Sequence, residues 1–220
     1  MNKIKCILFD LDGTLVNTGP DLLEALNYTF KINNLRTINE TYIGDLVGGG
    51  AAAMIEKGLK FSKKKVSKDE LSILVRQFLE FYEANCSHKS RPYDEVEETL
   101  QILKSKEYKL IVCTNKKQFL ANKVLKELDL EKYFDLILGS SKQLKLKPHT
   151  EMLEYCMNKM NVKSSETIMI GDSINDIAPS NLIGITSIFV EYGYGENENQ
   201  KSTYSIRKFK NIIDIIKFKF

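Results

Sequence analysis

From residue 93 to residue 190 the sequence switches regularly between short apolar runs and longer stretches with helical spacing. The runs fall at 110–113, 136–138, 167–170 and 186–190, and helices are expected over 94–107, 117–128, 150–160 and 174–182. Alternation of this kind leaves a parallel sheet with helices on both faces as the compact solution. A further apolar run at 4–9 has no partner nearby, so it is expected to join that later sheet. Between them, residues 18–88 read as helices without a good strand. Leu22, Leu23, Leu26 and Phe30 recur at helical spacing over 21–33. Further helices are expected over 39–47, over 51–61 after Gly48-Gly49-Gly50, and from Ser67, whose spacing to Glu70 is that of a capping box. The expected organisation is an α/β core of residues 1–16 and 89–220 with a helical insertion at 17–88. The tail 193–204 reads as loop, and 206–220 as a last helix packing Ile212, Ile213, Ile215 and Ile216 on the core.

At 220 residues, with 43% hydrophobic and 28% charged residues, the chain has the composition of a soluble globular protein. The net charge of +3 is small and there are only four arginines (Arg36, Arg76, Arg91, Arg207). Forked recognition of nucleic-acid phosphates is therefore poorly supplied, and no nucleic-acid partner is expected. Lys63-Lys64-Lys65 has no aromatic platform and reads as a solvated connector. The four cysteines (Cys6, Cys86, Cys113, Cys156) form no Cys-x-x-Cys pair, so neither a disulfide frame nor a zinc site is expected. No apolar run approaches the roughly 20 residues of a membrane span. The N-terminus shows no signal-peptide pattern, and the expected location is the cytoplasm. Monomer and homodimer are equally compatible with the sequence.

In open parallel sheets, ligands sit beyond the carboxyl ends of the strands, and here those ends carry one kind of chemistry. The first runs into Asp10-Leu11-Asp12-Gly13-Thr14. Side chains two apart on extended backbone point the same way. Both carboxylates are therefore expected in one small space, where like charges attract a proton or a cation. The same residues also suit a tight turn with Asp12-Gly13 as its corner. Thr14 and the N–H groups around Gly13 are candidate donors to phosphate oxygens. The second strand ends in Thr114-Asn115-Lys116; Asn115 is also a candidate helix cap, and Lys116 reads as solvated. After the third comes Lys145-Leu146-Lys147-Pro148, with both lysines candidates and the proline favouring Lys147. The fourth ends in Gly171-Asp172-Ser173-Ile174-Asn175-Asp176. His88 and His149 neighbour no other histidine or cysteine and are not expected to ligate metal.

In order, these four ends resemble the four motifs of the haloacid dehalogenase superfamily, the first of which is Asp-x-Asp-Gly-Thr. The resemblance implies a Rossmann-like core carrying a helical cap of the superfamily's first type. It implies Asp10 as a nucleophile toward phosphorus and Asp12 as the acid/base. Thr114 would bind phosphate with Asn115 and Gly13 beside it, and Lys147 would orient Asp10. It further implies Mg²⁺ held by Asp10, the backbone carbonyl of Asp12 and Asp172, with Asp176 and Ser173 in support. Oxygen-only ligands around a phosphate are what a hard cation prefers.

The resemblance narrows to bacterial phosphoglycolate phosphatases at Pro20-Asp21-Leu22, Val47-Gly48-x-Gly50, Thr114-Asn115-Lys116, Lys147-Pro148-His149, Gly171-Asp172-Ser173-x-Asn175-Asp176 and Tyr192-Gly193-Tyr194-Gly195. The sequence departs from that pattern at Asn17, Asp94-Glu95 and Ser140-Ser141. The resemblance implies hydrolysis of a small phosphomonoester such as 2-phosphoglycolate. Gly48, Gly49 and Gly50 then either bring N–H groups to its carboxylate or serve as an elbow between cap helices. A sugar phosphomutase uses the same two aspartates and is the nearest alternative. A non-catalytic phosphate- or partner-binding domain is the alternative of a different class.

Overall fold

A computed structural model describes residues 3–196 and 200–219. The loop expectation at 197–199 and the end of the last helix at Phe220 lie outside the described residues, as do Met1 and Asn2 of the core segment. Strand β1 (Cys6–Phe9) is buried along its whole length. Its alternate residues feed two cores: Ile7 and Phe9 pack into one cluster, Cys6 and Leu8 into another on the opposite face. A two-residue strand, β2 (Val16–Asn17), follows the acidic turn. The chain then enters α1 (Gly19–Ile32), the short α2 (Ile43–Leu46), α3 (Gly50–Phe61) and α4 (Lys68–Asn85). It returns through β3 (Arg91–Pro92), which pairs antiparallel with β2.

From there strands and helices alternate as expected: α5 (Val96–Ser105), β4 (Lys109–Lys117), α6 (Gln118–Glu127), β5 (Leu136–Ser140), α7 (Glu151–Met160), β6 (Thr167–Gly171), α8 (Ile174–Leu182), β7 (Thr186–Val190), β8 (Tyr204–Ile206) and α9 (Asn211–Lys219). Among the described residues the sheet order is β5-β4-β1-β6-β7-β8, every neighbouring pair parallel. Phe9 is level with both Val112 and Ile170, so β1, β4 and β6 run in register toward one edge of the sheet. No helix among the described residues is long and apolar enough to cross a membrane.

Four local differences from the sequence reading have physical causes. The single helix expected over 39–47 is a 3-10 turn, Glu40–Tyr42, followed by four α-helical residues. Asn39 holds that turn by accepting from the Thr41 N–H. Helix α5 starts two residues late because Glu95 adopts a left-handed φ of 64°, a conformation that glycine takes without strain. Strand β4 continues past Cys113 to Lys117 through a register shift. The strand β8 was hidden in the polar tail because Ile206 is its only buried residue.

The exit and return of the inserted helices are tied together. Asp21, in the first turn of α1, is 1% exposed. It accepts from the main-chain N–H groups of Lys89 and Ser90 and from the Ser90 hydroxyl at 2.6 Å. Three donors satisfy a carboxylate that burial alone would penalise. The capping box of α4 is present, with Ser67 and Glu70 exchanging hydrogen bonds.

Candidate active site

The Asp10 N–H donates to the Ile170 carbonyl, carrying the ladder one step past Phe9, and its own Oδ1 accepts from the Leu11 N–H at 2.8 Å. The Leu11 carbonyl then gathers the N–H groups of Thr14, Leu15 and Val16, curling the chain into a tight turn that leaves Asp12 beside the strand end. Gly13 holds φ at +86°, and a Cβ there would lie 2.2 Å from Asp172 Oδ2. Only glycine lets the acidic turn approach Asp172 this closely.

Asp12 does not stand beside Asp10 as an uncompensated pair. The Lys116 ammonium lies 2.9 Å from its Oδ1, and the Thr18 hydroxyl donates to the same oxygen at 2.7 Å. Lys116, read from sequence as solvated, is buried, with its side chain 4% exposed. The periodicity that groups Asp10 with Asp12 also places Lys116 on the same side of β4 as Thr114. Applied to the second strand end, it would have found this residue.

Lys147 is buried and bonded on three sides: Nζ is 2.6 Å from Asp176 Oδ1, 2.6 Å from the Cys113 carbonyl and 3.2 Å from Asp10 Oδ1. Burial alone would drive it toward neutrality, but Asp10 and Asp176 hold it above the usual lysine range. Lys145, its rival in the sequence, is exposed and pairs with Glu151. Both ends of the Asn115 amide are engaged by the Lys147 main chain, at 2.8 and 2.9 Å. Asn115 therefore anchors the lysine while lining the cavity described below, and it does not cap α6, which starts after Lys117. The Thr114 hydroxyl accepts from the Lys116 N–H, and its residue lines the cavity described below. Thr14 differs: its hydroxyl is buried with no partner, alone in this among the described residues.

At the end of β6, Asp172 Oδ2 accepts from the N–H groups of Tyr194 and Gly195 at 2.8 and 3.0 Å. Burial, with Asp10 and Asp176 adding like charge, pushes its pKa up to about 7. Asp10 is pushed up to about 6, chiefly by burial and against the pull of Lys147. Asp176 sits in the first turn of α8; its Oδ2 accepts from the Ser173 N–H and hydroxyl while Oδ1 faces Lys147. It thus caps the helix and holds the lysine together.

One carboxylate oxygen from each of Asp10, Asp172 and Asp176 lies within 4.8 Å of the others. Lys147 lies closer to Asp176 (2.6 Å) than to Asp10 (3.2 Å), and the three carboxylates together carry more negative charge than this ammonium offsets. An all-oxygen donor set with excess negative charge fits a hard divalent cation such as Mg²⁺.

Asp10, Asp12, Thr114, Lys116 and Asp172 line one side of a cavity of about 220 Å³, smaller than the roughly 300–1,000 Å³ of a drug-sized pocket. Gly48, Gly49 and Gly50 line it from the inserted helices, all with positive φ, together with Met54, Phe78 and Tyr82. Tyr194 fastens the far edge: its hydroxyl accepts from the Gly19 N–H at 2.7 Å and donates to Asn17, giving the asparagine at that departure from the family pattern a partner.

The model of the family described as haloacid dehalogenase-like hydrolase matches residues 7–190. A phosphoglycolate phosphatase of Colwellia psychrerythraea is 37% identical over 209 residues, 91% of each chain. One of Haemophilus influenzae Rd is 35% identical over 199 residues, 89% of each. A crystal structure described as a predicted phosphoglycolate phosphatase from Haemophilus somnus superposes with a TM-score of 0.91 at 32% identity, covering 98% of this chain and 99% of that one.

Proposed function

The chain belongs to the haloacid dehalogenase-like hydrolases and is a phosphatase related to the phosphoglycolate phosphatases; on that premise we propose that it hydrolyses a small phosphomonoester, best 2-phosphoglycolate, through an aspartyl phosphate on Asp10. The observation that carries this reading is the position of Asp10, 3.2 Å from a buried ammonium and with a carboxylate oxygen within 4.8 Å of one from Asp172, both lining a small cavity.

An ionised Asp10 oxygen attacks phosphorus in line and the bond from phosphorus to the alcohol oxygen breaks, while Asp12 gives that oxygen a proton. Asp12 then takes a proton from the water that attacks the aspartyl phosphate, releasing phosphate and restoring Asp10. Lys147 keeps Asp10 oriented and offsets charge on the phosphoryl oxygens, to which Thr114 and the turn at Gly13 donate. Asp10, Asp172 and the main-chain carbonyl of Asp12 would hold Mg²⁺, which when bound supplies further positive charge at those oxygens. Residues 17–88 act as the cap, the Gly48–Gly50 loop and Tyr82 excluding water from the leaving-group side.

The test is release of inorganic phosphate from 2-phosphoglycolate, expected with magnesium and absent in chelator. Asp10→Asn should abolish turnover with no loss of stability in urea; a variant that still turns over overturns the proposal.

A further inference from the structure

Of the charged groups lining the cavity, Asp10, Asp12 and Asp172 are already employed in the phosphoryl chemistry proposed above. Lys117 is exposed at the rim. The side chains that the inserted helices turn toward the cavity (Val47, Met54, Val75, Phe78, Leu79, Tyr82) are uncharged. That leaves Lys116 as the buried cation lining the space among the described residues. It stands on the leaving-group side, since its Nζ is 2.9 and 3.2 Å from the two oxygens of Asp12, the proton donor to the departing alcohol. The Tyr82 hydroxyl fixes it from the helical side at 2.8 Å, with the ring centroid 4.6 Å away. Its three donors reach both Asp12 oxygens and the Tyr82 hydroxyl, and the bond to Asp12 Oδ2, at 3.2 Å the longest, is the one a substrate carboxylate would displace.

We infer that Lys116 selects the substrate, pairing a carboxylate carried on the carbon next to the ester oxygen, so that the site prefers phosphate esters of small 2-hydroxy acids over those of uncharged alcohols. An ester oxygen within hydrogen-bond reach of Asp12 places a carboxylate two bonds further on beside the neighbouring ammonium. The apolar wall contributed by Phe78, Leu79 and Met54 offers that carboxylate no competing cation. A charge-assisted hydrogen bond from a buried ammonium is strong and directional. This assignment rests on the phosphatase reading and gives the carboxylate to the core strand end rather than to the Gly48–Gly50 loop.

The experiment compares kcat/KM for 2-phosphoglycolate and for 2-hydroxyethyl phosphate, which carries CH₂OH in place of the carboxylate, in wild type and Lys116→Met. Wild type is expected to favour 2-phosphoglycolate, and the variant to lose about tenfold to hundredfold of that preference, mostly through KM for the acid. Lys116→Gln, which keeps a hydrogen bond to Tyr82, takes its place if Lys116→Met does not fold. An equal loss on both esters means that Lys116 serves Asp12 alone and overturns the inference while leaving the phosphatase reading intact. A wild type without preference overturns it as well. A wild type that hydrolyses neither ester overturns the proposed hydrolysis of 2-phosphoglycolate and this assignment with it.

Discussion

Replacing Asp172 by asparagine should make the metal-free protein more stable. Burial and the neighbouring Asp10 and Asp176 raise the Asp172 pKa from 3.8 to about 7. At roughly 1.4 kcal/mol for each tenfold gain in proton affinity, that rise is a penalty on the order of 4 kcal/mol for holding the carboxylate ionised in the fold. A carboxyl group with a folded-state pKa above its unfolded value binds its proton more tightly when folded. Its penalty is therefore absent below about pH 4, grows through the interval up to pH 7, and is complete above it. The amide oxygen introduced by Asp172→Asn would still accept from the Tyr194 and Gly195 N–H groups, so little hydrogen bonding is lost. Urea unfolding in chelator at pH 8 should show the variant more stable by about 2–4 kcal/mol, a gap that narrows at pH 5. Added magnesium should stabilise wild type alone and narrow or reverse the order. A variant no more stable than wild type at pH 8, with a gap that does not change with pH, refutes the reasoning.

Two further outcomes follow from the packing around the same site. Gly13→Ala must strain a φ of +86° and push a Cβ to within 2.2 Å of Asp172 Oδ2; magnesium-dependent activity should fall by an order of magnitude or more, read as initial rate against metal concentration, and unchanged metal dependence counts against the close approach. Asp176→Leu leaves buried Lys147 with Asp10 as its only close carboxylate and removes the α8 cap, at about 3–5 kcal/mol in urea unfolding; a loss under about 1 kcal/mol would mean that Asp10 alone neutralises the lysine.

Much of this molecule is legible in its sequence because the burial pattern is strong. Strands such as Cys6–Phe9 and Thr167–Gly171 are buried throughout, so they show as unbroken apolar runs, and the order of acids, hydroxyl and lysine at their ends follows from topology. What escaped had weaker local signals. The strand at Tyr204–Ile206 buries one side chain. Lys116 looks like any surface lysine until its partners Asp12, 104 residues away, and Tyr82 are brought to it by the fold. The anchoring of Lys147 by Asn115 also spans the fold, joining strand β4 to the loop after β5 across 32 residues. Thr14, whose place in the motif suggests a phosphate donor, has its hydroxyl buried without a hydrogen-bond partner.

The central claim is that Asp10 carries the phosphoryl group. Protein mixed with magnesium and 2-phosphoglycolate, quenched in acid within the first turnover and digested, should yield the peptide containing Asp10 heavier by one phosphoryl group, with no such peptide from Asp10→Asn. Phosphate release at full rate with no labelled Asp10 peptide, or with the label on Asp12 instead, contradicts the account.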